Sequence, residues 1–107
     1  MFHGLLRSVF SQEIVPLKLY WNSERGDNFT TATTQGERDA KAAGYSFIRV
    51  EGYIYSKQQP GTVPFKLYWS SERGDNFTTA TEQGERDAKA AKYPFIRVEG
   101  YVIPVCR

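Results

Sequence analysis

The chain is poor in the residues that build metal centres and covalent frameworks. Its 107 residues include one Cys and one His. A single Cys excludes a disulfide within the chain and a Cys-based metal site, and a single His excludes a His-rich one. No apolar run approaches the roughly 20 residues of a membrane helix. Charge of one sign is scarce too. Fourteen Lys and Arg against twelve Asp and Glu leave +2, too little to argue for nucleic acid as a partner. No Gly-rich phosphate loop is present, because Gly26, Gly36 and Gly44 have the wrong spacing. The first ten residues are broken by Arg7, and no small-residue cleavage site follows them. They read as part of the fold and not as a secretory signal, which leaves the cytoplasm or leaderless secretion as the expected location.

Aromatic residues, by contrast, are plentiful: seven Phe, seven Tyr and two Trp. The length suits one domain, which at this size buries roughly 65% of the surface its unfolded chain exposes.

The main feature is an internal duplication. Val15–Tyr53 aligns without a gap on Val63–Tyr101 at an offset of 48. The 39 aligned positions are identical except at five: Leu17/Phe65, Asn22/Ser70, Thr34/Glu82, Gly44/Lys92 and Ser46/Pro94. The expected organisation is an N-terminal strand segment (1–14), a first repeat (15–62) and a second repeat (63–107) within a single domain. The segment 10–16 echoes the linker around Pro60-Gly61, so residues 1–14 are expected to supply a strand where a further repeat would sit. Each repeat is electrically neutral, and mixed signs of this kind mark a solvated surface.

Within a repeat, Leu17–Trp21 alternates with period two and reads as a strand. It should place Leu17, Leu19 and Trp21 on one face, with Lys18 and Tyr20 on the other. A Gly-centred loop over residues 22–27 leads to a second strand over residues 28–32. Thr33, and Thr81 in the second repeat, are candidate N-caps of a short helix. Thr34 with Glu37 suggests a capping box in the first repeat only, and Glu37 with Lys41 an i,i+4 pair. Gly36, Ala40 and Ala43 give that helix a face of small residues. Gly44 is a natural helix stop, and Lys92 in its place predicts a less clean end to the second helix. Residues 45–55 read as a long strand. Its expected core face carries Ile48, Val50 and Ile54, and Phe47, Arg49, Glu51, Tyr53 and Tyr55 line the other. Gly52 is a candidate bulge or close contact. The fold class is therefore α+β, β-rich, with each unit running strand, strand, short helix, long strand, and the two units related by pseudo-symmetry.

The segments Asn28-Phe29-Thr30-Thr31, Glu37-Arg38-Asp39-Ala40 and Val50-Glu51-Gly52-Tyr53 resemble a bacterial tandem-repeat family of uncharacterised function. Its members are often appended to secreted hydrolases and are presumed to bind. The resemblance spans about 40 residues of each repeat. It implies a binding module and implies no catalysis. Asp27-Asn28-Phe29-Thr30 departs from the family's pattern, which has His and Tyr there.

Residue chemistry points the same way. His3 and Cys106 lie near opposite chain ends, so nothing pairs them as base and nucleophile. Glu37 and Asp39 sit together at a helix start, where acids suit the dipole, and not across a cleft. Glu24, Asp27 and Asn28 offer oxygen ligands without an EF-hand pattern, and a polar turn explains them. Arg25-Gly26-Asp27 spells an adhesive tripeptide by coincidence, and the Asn28 and Asn76 sequons are expected to be unused. No enzyme, metal or cofactor is expected. Sugar recognition needs an aromatic ring for the apolar face of a pyranose and planar polar groups for its hydroxyls. Tyr20, Trp21, Asp27 and Asn28 supply both in one hairpin, and Tyr68, Trp69, Asp75 and Asn76 supply them again. The expected function is a carbohydrate-binding module with one site per repeat, a glycan or glycoconjugate as partner, and no nucleic acid or membrane. The competing expectation is a protein-interaction module that assembles as a homodimer through an exposed aromatic face such as Phe47, Tyr53 and Tyr55.

Overall fold

A computed structural model describes residues 13–104. The expected N-terminal strand of residues 1–14 therefore falls outside the described residues except at its end, as do His3 and Cys106. Eight elements follow in order. They are β1 (Ile14–Asn22), β2 (Asp27–Thr31), α1 (Thr34–Ala42), β3 (Ser46–Tyr55), β4 (Val63–Ser70), β5 (Asp75–Thr79), α2 (Glu82–Ala90) and β6 (Phe95–Val102). The six strands form one antiparallel sheet in the order β2-β1-β3-β6-β4-β5. The sheet curls until it is nearly closed. Its two edges approach each other, with Thr30 Oγ1 3.5 Å from Thr78 Oγ1. The seam between the repeats is narrow: β3 and β6 pair at Tyr55 and Tyr101 alone. At that seam a Cβ on Gly100 would lie 2.8 Å from the Tyr55 carbonyl oxygen, so the strands meet only because residue 100 has no side chain.

Local chemistry explains the elements. In β1–β2 the Asn22 side chain accepts from Arg25 N at 2.9 Å and shapes the loop, and Gly26 takes φ +62°. Ser70 does the same for Arg73 N at 3.2 Å. Both helices are capped as expected, with Thr33 Oγ1 accepting from Gly36 N (3.0 Å) and Thr81 Oγ1 from Gly84 N (2.9 Å). The capping box does not form. With Thr33 as N-cap, the third helical residue is Gly36, which has no side chain to reach back. Glu37 pairs with Lys18 across to β1 at 3.1 Å, not with Lys41. The second helix ends as the first does. Lys92 adopts φ +62° where Gly44 has φ +82°, and its N–H donates to the Lys89 carbonyl as Gly44's does to Lys41. The cost of Lys92 is left-handed strain and not a frayed end. Pro60-Gly61 turns the chain between the repeats, with Gly61 at φ +81° and Thr62 Oγ1 donating to the Gln59 carbonyl.

The long strands differ from a simple alternation. In β3, Val50 opposes Lys18 and Gly52 opposes Leu17, which leaves Glu51 as an extra residue; Ile48 is extra in the same way. In β6, Glu99 and Ile96 are the extra residues opposite β4. Two bulges per strand turn the expected core face outward: Ile48 and Val50 are exposed and only Ile54 is buried. On β1 it is Tyr20 that enters the core, at 3% exposure, while Trp21 stands out at 38%. The core joins Tyr20, Phe29, Ala40, Tyr45 and Leu67, and so draws on both repeats.

Candidate functional site

Nearly identical sequences meet unequal surroundings. Arg97 and Glu99 of β6 dock on the start of α1. Glu99 is wholly buried there. Its carboxylate accepts from Thr31 Oγ1 (2.7 Å) and from the Ala32 N–H (2.9 Å), and it pairs with Arg97 at 2.9 Å. Arg97 also donates to Asp39 at 3.2 Å. The bulge at Glu99 aims this carboxylate, and Gly36 makes room for the guanidinium: a Cβ there would lie 2.7 Å from Arg97 Nη2. That Nη2 is buried and has no hydrogen-bond partner among the described residues.

A second contact joins the hairpins. Asp27, buried at the start of β2, accepts from Tyr45 Oη at 2.6 Å, from Asn76 Nδ2 at 2.8 Å and from the Asn76 N–H at 3.2 Å. Burial holds the Asp27 carboxyl above its ordinary value, and the neighbouring Asp75 adds to the rise against the hydrogen bonds that lower it. Burial and the bond to Asp27 likewise raise Tyr45.

These two contacts frame a cleft of about 240 Å³ between the repeats. Arg25, Asp39 and Tyr45 line one wall, and Trp69, Asn76 and Arg97 line the other. The Arg25 guanidinium lies over both rings, 5.3 Å from the Trp69 centroid and 5.7 Å from that of Tyr45. A shallower hollow of about 160 Å³ lies beside α2, lined by Arg73, Phe77, Asp87, Ala88, Ala91 and Tyr93. These are the counterparts, 48 residues on, of Arg25, Phe29, Asp39, Ala40, Ala43 and Tyr45. The second hollow thus repeats one wall of the first without an opposing wall.

The eight sequence-predicted residues separate accordingly. Tyr20 and Tyr68 are buried in the core at 3% and 4% exposure, so neither offers a ring to a ligand. Asp27 is buried and committed to structural bonds, and Asp75 accepts from Tyr93 Oη at 2.6 Å. Trp69 and Asn76 come together in the cleft. Trp21 and Asn28 are exposed and stand outside it. Sequence reasoning missed Arg25, Tyr45 and Arg97 as cleft residues. Arg97 had a signal, the charged pair set into an aromatic strand face, but nothing separated it from the identical Arg49.

The burial of Asp27 also withdraws the first Arg-Gly-Asp tripeptide from any partner. The paired acids point to separate cations, Glu37 to Lys18 and Asp39 to Arg97. Among the described residues no three His, Cys, Asp or Glu are grouped to hold a metal, and no helix is long and apolar enough to cross a membrane. Compared with family models, curated proteins and solved structures, the chain matches none.

Proposed function

We propose that the chain is a non-enzymatic carbohydrate-binding module whose working site is the cleft between its two repeats. The repeats are read as equivalent copies of one unit, related by pseudo-symmetry, of which only the first carries a complete cleft. One observation carries the reading. The cleft sets an indole, Trp69, beside planar hydrogen-bonding groups on Arg25, Asp39, Asn76 and Arg97. That is the pairing a pyranose requires: a ring for its C–H face and fixed donors and acceptors for its hydroxyls. In this reading the sugar's apolar face takes the place of the Arg25 guanidinium against Trp69. The resemblance of the repeat motifs to a family presumed to bind is consistent with it.

A glycan array with the labelled chain, run beside Trp69→Ala, tests the proposal. The expected result is binding to a defined sugar class that the variant loses by tenfold or more, a loss of about 1.4 kcal/mol. Binding that survives Trp69→Ala, or no binding to any sugar on the array, would contradict it. Asp27→Ala is a poor probe, because it removes three structural hydrogen bonds along with any ligand contact.

A further inference from the structure

The contact between the repeats is made by one face of each, and each repeat keeps the other face open. The first repeat gives the acceptor face: Asp27 and Asp39 accept from Asn76 and Arg97 of the second, while Thr31 Oγ1 donates to Glu99. The identical donor residues of the first repeat are uncovered. Trp21 is 38% exposed, Asn28 is exposed, and the side chain of Arg49 is 63% exposed against 19% for Arg97. Arg49 pairs only with its neighbour Glu51 among the described residues. Nothing lies within 4 Å of a Cβ built on Gly52, where Gly100 is tightly packed. The second repeat's acceptor face is uncovered in turn. Phe77 and Tyr93 are half-buried where Phe29 and Tyr45 are buried, Asp75 is half-buried beside Asp27, and the three atoms nearest a Cβ on Gly84 all belong to Thr79, whereas at Gly36 one of the three is an Arg97 nitrogen.

We propose that a second copy of the chain docks its Arg49–Glu51 face on the Asp75–Asp87 face of the first, repeating between chains the contact that Arg97 and Glu99 make within one. The groups with a complement already seen to fit are two: Arg49 meets Asp87, and Glu51 meets Thr79 Oγ1 and the Ala80 N–H. The second hollow thereby gains a wall, with Trp21 in the place of Trp69. Residues 1–12 are a poorer occupant, for they contain neither an acid to receive Arg49 nor a Trp. The contact is head-to-tail and leaves one open face of each kind at the ends of a pair, so copies close a ring or run on. It goes beyond the carbohydrate reading and stands whether or not the cleft takes a sugar.

Sedimentation velocity of the full chain over a wide concentration range tests this, with Arg49→Asp and Asp87→Arg alone and mixed. Both substitutions lie outside the contact within the chain, so circular dichroism and melting should be unchanged. The wild type is expected to associate as concentration rises. Each variant alone sets like charges opposite one another and should associate at least tenfold more weakly. The mixture should recover, because each interface then pairs opposite charges. A wild type that stays monomeric at the highest concentrations, variants that associate as the wild type does, or a mixture without recovery would each overturn the proposal. Association that appears only after residues 1–12 are removed would also overturn it, and would assign the face to that segment. Should either charge variant fail to fold, Trp21→Ser on the donor face replaces it, with loss of association expected and retention contradictory.

Discussion

Asp27 carries the most concentrated chemistry at a single position. Burial opposes its charge more than the donors from Tyr45 and Asn76 favour it, and its carboxyl keeps its proton above the ordinary value of 3.8. The folded chain therefore holds this proton when the unfolded chain has released it. The stabilisation linked to it is complete below pH 3.8 and is lost as pH rises through the folded value. Carboxyl carbon NMR of labelled protein should place the Asp27 midpoint above 3.8, and a midpoint at or below that value would contradict the burial argument. The role of Asp27 was not legible beforehand. Its residue type suggested a sugar or cation ligand in an exposed loop, whereas Tyr45 and Asn76, distant in sequence, turn it into a structural acceptor. The same limit applies to the two tryptophans. Trp21 and Trp69 sit in nearly identical local sequence, with Asn22 and Ser70 following them, and it is the docking of one repeat on the other that sets their surroundings apart.

At the scale of elements, the order strand, strand, helix, strand could be read from periodicity and capping, and the Thr33 and Thr81 caps stand where the sequence placed them. Small residues on the helix were legible as well, and their reason is close packing. A Cβ on Gly36 would lie 1.7 Å from Thr31 Oγ1, and one on Gly84 1.8 Å from Thr79 Oγ1. Gly36→Ala and Gly84→Ala should each destabilise the fold by about 1–3 kcal/mol through overpacking, although alanine is the better helix former by about 1 kcal/mol. Urea denaturation of each variant measures this, and a stabilised variant would show that the helices stand off the sheet. The faces of the long strands were not legible. Extra residues at Ile48, Glu51, Ile96 and Glu99 break the period of two, and bulges leave no local mark beyond a neighbouring glycine such as Gly52 or Gly100.

Across the whole molecule, one docked contact between near-identical repeats builds the cleft and leaves Arg49 and Glu51 exposed. Glu99 and Glu51 are the same residue in the same local sequence, and only the first is inside that contact. Removing Glu99 leaves Arg97 with Asp39 as its remaining ion-pair partner among the described residues, takes away the short bond of the Thr31 hydroxyl and leaves the Ala32 N–H without its acceptor, which should cost about 3 kcal/mol. Removing Glu51 breaks a solvent-exposed pair worth less than about 1 kcal/mol. The most direct measurement is therefore the thermal unfolding of Glu99→Ala and Glu51→Ala side by side at low protein concentration. The melting temperature should fall by roughly 10 °C or more for Glu99→Ala and by a few degrees at most for Glu51→Ala. Equal losses would mean that the two repeats do not dock in this way, and the cleft between them would fall with that contact.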